Sequence, residues 1–189
     1  MGQRLNVEVH YDGEVLANAY YHWSAYTGSA LNILKEVIDA YRKCKEISPL
    51  KIAVEILQAT GAGVDNEEKC LIAADRSGKF DGINFREAAS RNDGLLSVTK
   101  NGIEDTRKWE EGRVTVDIGS ETFLFDVMWS MGREDYEDSD NRSFDEIPYI
   151  EFDFDKPCHF KDYDKMAKVI WGNPDGVRIN EDAALIWIA

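Results

Sequence analysis

No apolar run in this chain exceeds seven residues, Ala183 to Ala189, against the roughly 20 that a membrane-crossing helix needs. The first thirty residues lack the cationic start and apolar stretch of a secretory leader. Basic residues are scarce: 22 Lys and Arg stand against 36 Asp and Glu, a formal charge of −14. That balance has the wrong sign for holding a nucleic-acid backbone. Cysteine is limited to Cys44, Cys70 and Cys158, an odd count at wide spacing that excludes a disulfide framework and fits reduced thiols. The expected setting is the cytoplasm, with no membrane association.

Catalytic and cofactor signatures are equally sparse. The histidines are His10, His22 and His159. No two pairs of Cys or His stand at zinc-ligand spacing, and neighbours such as Cys158 and His159 point to opposite faces of a strand. There is no Gly-x-Ser-x-Gly elbow, phosphate loop or dinucleotide fingerprint. The Gly61-Ala62-Gly63 stretch follows a helix and reads as a cap and loop. No catalytic residue and no resident cofactor are therefore assigned, and a non-enzymatic role is favoured.

What the chain does contain is core material. Of its 189 residues 43% are apolar and 11% aromatic, so disorder is excluded despite the charge. A chain of this size buries roughly 70% of its unfolded surface. Leu5, Val7, Val9 and Tyr11 alternate with polar residues, Asp12-Gly13 is a hairpin turn, and a return strand runs from Glu14 to about Trp23 with Ala17, Ala19 and Tyr21 on one face. A helix is expected from Ser29, as N-cap, to about Lys45, and a second from Ser48-Pro49 to Gly61. A short helix through Cys70, Leu71 and Ala74 follows. Leu95 to Thr99 reads as a strand, Asn101-Gly102 as a turn, and Val114 to Trp129 as a hairpin around Gly119-Ser120. Ile150, Phe152 and Phe154 alternate as a strand. A helix near Tyr163 to Trp171 and a strand near Ala184 to Ile188 close the chain. The order argues α+β, with a largely antiparallel sheet, an N-terminal hairpin, two consecutive helices packed on it and a second hairpin region. Residues 1–189 form a single compact domain, or two lobes over 1–90 and 91–189.

Carboxylates are concentrated in one segment. Between Glu134 and Asp155, ten acids (Glu134, Asp135, Glu137, Asp138, Asp140, Asp145, Glu146, Glu151, Asp153, Asp155) face one base, Arg142, a local charge of −9. A solvated acidic loop is the simplest account. Cation binding is a second, because Glu151, Asp153 and Asp155 share one strand face and such a row can hold Mg²⁺ or Ca²⁺, with Mg²⁺ or Mn²⁺ expected in a nuclease; Asp138 and Asp140 fail the EF-hand pattern. Mimicry of nucleic-acid phosphates is a third. DNA carries one charge per roughly 1.7 Å of axis, and alternate strand residues lie roughly 6.6 Å apart, so one strand alone is not enough. A second feature is the aromatic group Tyr20, Tyr21, His22, Trp23 and Tyr26. Packing is the favoured reading, and a small-nucleotide pocket of Tyr20, Trp23, Tyr26, Arg91 and Asn92 is the alternative.

The opening Met1-Gly2-Gln3-Arg4-Leu5-Asn6, the segment Ala17-Asn18-Ala19-Tyr20-Tyr21-His22-Trp23-Ser24-Ala25-Tyr26-Thr27, and Arg91-Asn92-Asp93-Gly94-Leu95-Leu96-Ser97 resemble uncharacterised phage and prophage accessory proteins of Gram-positive bacteria. The resemblance implies a setting and no activity. Small phage proteins of this kind often disable a host factor, as acidic inhibitors of restriction and CRISPR nucleases do. The expected partner is thus a host protein with a basic surface, met through Glu134, Asp135, Glu137, Asp138, Asp140, Asp145 and Glu146, without direct nucleic-acid binding. A metal-dependent nuclease or phosphoesterase built on Glu151, Asp153 and Asp155 is the alternative.

Overall fold

The computed structural model describes residues 4–25, 27–89, 94–127, 149–151, 157–163, 177–180 and 185–188. The hairpin forms as expected: β1 (Leu5–Tyr11) pairs antiparallel with β2 (Glu14–Tyr21). Asp12 and Gly13 both take positive φ, 52° and 78°, the conformation a two-residue turn needs. Then come α1 (Thr27–Lys43), α2 (Pro49–Gln58) and α3 (Asn66–Ala73). Ser29 lies inside α1 and does not cap it. Ser48 occupies the N-cap of α2 without a side-chain hydrogen bond, and Pro49 starts the helix. The short strand β3 (Leu95–Ser97) ends two residues early because Thr99 caps another helix, α4 (Lys100–Arg107).

Helix α4 corrects the sequence reading at Asn101-Gly102. The pair sits in a first helical turn, where the Gly102 amide donates to Thr99 Oγ1 at 3.2 Å. Its only buried apolar side chain is Ile103, so no hydrophobic periodicity marks it. Strands β4 (Gly112–Asp117) and β5 (Thr122–Val127) follow. Their connection covers residues 118–121, wider than a two-residue turn at Gly119-Ser120, and it is Glu121 that takes positive φ, 53°. Asp117 Oδ1 closes the loop by accepting the amides of Gly119 and Ser120 at 2.8 and 3.0 Å, a side-chain mimic of a backbone turn.

The remaining strands are β6 (Tyr149–Glu151), β7 (Cys158–His159), β8 (Val177–Asn180) and β9 (Leu185–Ile188). Beyond Cys158 and His159 the backbone is helical over 160–163, and the rest of the expected helix to Trp171 lies outside the described residues, as do Phe152, Phe154 and Trp129. Strands β6, β9 and β8 make an antiparallel three-stranded sheet.

The larger sheet has the order β3-β2-β1-β4-β5-β7. Its pairs are antiparallel except one: β1 runs parallel to β4, with Val7 opposite Val114 and Val9 opposite Val116. The architecture is α+β with a mixed sheet, carrying the N-terminal hairpin and helices α1 and α2. Residues from both sides of position 90 enter this one sheet. Its two faces differ sharply. On one, Leu5, Val7, Val9, Val114, Val116, Phe123 and Phe125 are buried with Leu34, Ile38, Val54 and Leu57 of α1 and α2 in one core cluster. Tyr21 is fully buried there, bonded to the Thr60 hydroxyl, and burial pushes its phenol pKa up.

Gly63 bridges to Leu95, and the adjacent Val64 bridges to Glu87. A Cβ on Gly63 would lie 2.5 Å from backbone atoms of Glu87 and Ala88, with no flexible side chain to give way. Gly63→Ala is expected to destabilise the fold by about 1–3 kcal/mol, the usual cost of overpacking, read as a lower urea midpoint.

Candidate functional site

The second face of the large sheet carries Asn6, Glu8 and His10 of β1 and Asn18 and Tyr20 of β2. Beside them stand Ser97 of β3 and Arg113, Thr115 and Asp117 of β4. Strand alternation alone would place them toward water. Instead Asn6, Glu8 and Asn18 are fully buried, among partners that come largely from α4 and the residues after it. Glu8 is the centre. Arg107 donates through Nε to Oε1 at 2.5 Å and through Nη2 to Oε2 at 2.8 Å, a two-pronged clamp. His10 Nε2 lies 2.9 Å from Oε2, and Arg113 Nε stands 3.8 Å from Oε1. Arg113 is held in turn by Glu110, whose Oε2 also accepts the Asn6 amide at 2.8 Å. The Asn18 amide donates to Asn6 Oδ1 at 3.0 Å and to Thr106 Oγ1 at 2.9 Å.

Burial by itself would raise the Glu8 pKa. The hydrogen bonds from His10 and Arg107 and the charges of Arg113 and Arg107 outweigh it and hold the carboxyl at about 2. Arg107 moves in the opposite sense, its pKa raised by the hydrogen bond to Glu8. Chemically this arrangement is a clamp: both Glu8 oxygens are engaged, and the charge serves to fasten α4 and β4 to β1.

At the open end of the hairpin lies a different surface. The Tyr20 hydroxyl is 3.2 Å from His22 Nδ1, and the His22 ring meets Trp23 edge-on with centroids 5.0 Å apart. Trp23 is 56% exposed and Trp109 is 63% exposed. The packing expected of Trp23 is therefore not found, although it holds for Tyr21. Strand β2 ends at Tyr21, so Trp23 has left the sheet before it can turn inward. Arg4 lies over the Trp109 ring, 5.7 Å from its centroid. Tyr26, Arg91 and Asn92 lie outside the described residues.

A third feature is a cavity of about 260 Å³ between α3, β3 and α4, lined by Asp65, Glu67, Glu68 and Asp105 with Leu71 and Leu95. Asp105 is paired with Lys108 at 2.6 Å. Burial, then the charges of Asp65 and Glu67, push the Glu68 carboxyl pKa up.

Of the acidic segment, Glu134, Asp135, Glu137, Asp138, Asp140, Asp145 and Glu146 lie outside the described residues, as do Asp153 and Asp155. Glu151 is placed at the end of β6, opposite Leu185. His10 and His22 stand at opposite ends of the hairpin, and His159 is exposed on β7 opposite Thr122. Among the described residues no three His, Cys, Asp or Glu side chains are placed to hold a metal ion, and no helix is long and apolar enough to cross a membrane. Sequence reasoning did not single out Glu8, Arg107, Arg4 or Trp109. For Glu8 the sequence offered no distinct signal, since it takes its place in the alternation with Asn6 and His10. The chain matches no protein-family model, no curated protein and no solved structure.

The low Glu8 pKa sets a direction for acid stability. A carboxyl held at about 2 when folded, against 4.5 for the ordinary group, stabilises the fold above pH 4.5. That contribution, on the order of 3 kcal/mol, is lost progressively as pH falls toward 2. Denaturant titrations at stepped pH read it, and Glu8→Gln should flatten that part of the profile. Arg107→Ala leaves the buried carboxylate without its main partner and is expected to cost about 3–5 kcal/mol at neutral pH. Arg107→Lys should recover only part of that, since a lysine cannot form the two-pronged contact.

Proposed function

We propose that the chain is a non-enzymatic binding protein of the phage accessory type, which engages a basic surface on a host nucleic-acid-binding defence protein. The observation that carries this reading is the charge distribution: a net −14, of which −9 falls within Glu134 to Asp155. The cavity between α3, β3 and α4 supports it, because its ionisable lining residues are carboxylates. The ionic centre at Glu8 supports it differently. There Arg107 and Arg113 are drawn inward as partners of Glu8 and Glu110, which leaves the acidic excess to the surface.

Such a protein meets its partner through long-range attraction, which raises the association rate by about 10- to 1,000-fold and weakens steeply with salt. The target is a protein surface that otherwise holds phosphates. Inhibition follows from occupancy, with no bond made or broken.

Neutralising Asp135, Glu137, Asp138 and Asp140 together as Asn and Gln brings the net charge from −14 to −10. Capture of a partner from host lysate at low salt should weaken in that variant. The melting temperature should stay nearly unchanged, as expected for the solvated acidic loop that the sequence suggests. Equal capture by variant and wild type at low and high salt would sink the reading.

A further inference from the structure

The open end of the β1–β2 hairpin gathers groups that neither the core nor the acidic surface explains. The register that sets Leu5 opposite Tyr21 and Asn6 opposite Tyr20 carries Arg4 to the same end of the hairpin as His22. From there the side chains form a connected chain. Trp23 meets His22 at 5.0 Å between ring centroids and His22 bonds the Tyr20 hydroxyl at 3.2 Å, while Arg4, near enough for its charge to act on that hydroxyl, lies over Trp109 at 5.7 Å. Leu95, paired with Tyr20 across β2 and β3, is exposed alongside.

Exposed apolar surface rimmed by polar groups marks interaction sites when it is contiguous. Two indoles more than half exposed, linked through an arginine, have the composition of a stacking platform with an anion donor. We propose that this end of the hairpin binds a single nucleotide, with its base stacked on an exposed indole and its phosphate held by Arg4.

The choice of a nucleotide rests on pairing exposed indole surface, most of all Trp23, with a guanidinium. An apolar peptide would use the rings and leave Arg4 idle, and a simple anion would use Arg4 and leave the rings idle. The choice of a single nucleotide rests on charge. Every further phosphate adds repulsion from a molecule of net charge −14, which acts over roughly 10 Å in ordinary salt, while stacking gains end with the two rings. The Glu111 carboxylate accepts the Arg4 backbone amide at 2.9 Å. This site is independent of the acidic segment, so it stands or falls apart from the partner reading above.

Thermal shift and isothermal calorimetry with AMP, GMP, CMP and UMP test it, with adenosine and ribose 5-phosphate as the two half-ligands. Saturable heat and a rise in melting temperature are expected with at least one nucleotide, less with the nucleoside, and least with ribose 5-phosphate. Trp23→Ala and Trp109→Ala combined should keep the fold, by circular dichroism, and weaken binding by about ten- to hundred-fold per ring in contact. The single variants identify that ring. Arg4→Ala should weaken AMP without changing adenosine. No heat and no shift at millimolar nucleotide would overturn the proposal, as would wild-type affinity in the double variant or an equal response to ribose 5-phosphate. A concentration-dependent dimer in sedimentation that the double variant abolishes, with no nucleotide effect, would also overturn it and assign the surface to a second copy of this chain.

Discussion

A carboxylate with no exposure to water sits at the middle of the sheet, and much of the local architecture is arranged around keeping it ionised. Taking Glu8 out of solvent costs several kcal/mol before any partner is counted. Arg107, His10 and Arg113 offset that cost from three positions: the end of α4, the next residue on the same face of β1, and the neighbouring strand β4. Because the geometry must satisfy one carboxylate from all three, it fixes where α4 lies and how it meets the parallel β1–β4 pair. Helix α4 has little else to hold it, since Ile103 is its one buried apolar side chain. Polar contacts from Thr106 and Arg107 replace the greasy stripe that anchors α1 and α2.

The sheet thus separates two jobs by strand alternation. Odd residues of β1 and even residues of β4 point into the core beneath α1 and α2. Their neighbours form a polar layer, partly sealed by α4. Rigidity comes from the first face and geometric definition from the second. That combination suits a scaffold that presents surfaces, because the side chains at its margins are held by groups that cannot easily move. Arg4, just before β1, and Tyr20, near the end of β2, inherit their positions from the pairing of those two strands.

Much of the fold was legible from local pattern. Alternation located β1, β2, β4 and β5, Asp12-Gly13 located the first turn, and Pro49 located the start of α2. The misreadings have separate causes. Asn101-Gly102 has turn chemistry in isolation, yet Thr99 caps that amide and the Glu8–Arg107 contact rewards a helix there. Gly119-Ser120 suggested a tight turn, whereas Asp117 organises a wider loop with its own side chain. Trp23 was read as packed together with the rest of its aromatic group, but the strand had already ended. Of the residues discussed as sites, Tyr20 and Trp23 were visible as an aromatic run. Arg4 and Trp109 were not, because they stand 105 positions apart in the chain.

The sequence by itself determined the class of the protein: an acidic α+β chain with a substantial core, built of hairpins whose faces are set by a period of two. These properties depend on neighbours along the chain, where side-chain alternation, turn residues and caps act within a few positions. Tertiary structure alone decided the parallel pairing of β1 with β4, the burial of Asn6, Glu8 and Asn18, and the meeting of Arg4 with Trp109. Each of these joins residues about a hundred positions apart or depends on such a junction. No local preference encodes such a junction, and only the closing of the sheet, with Glu8 fastened to Arg107 across it, brings the parts together.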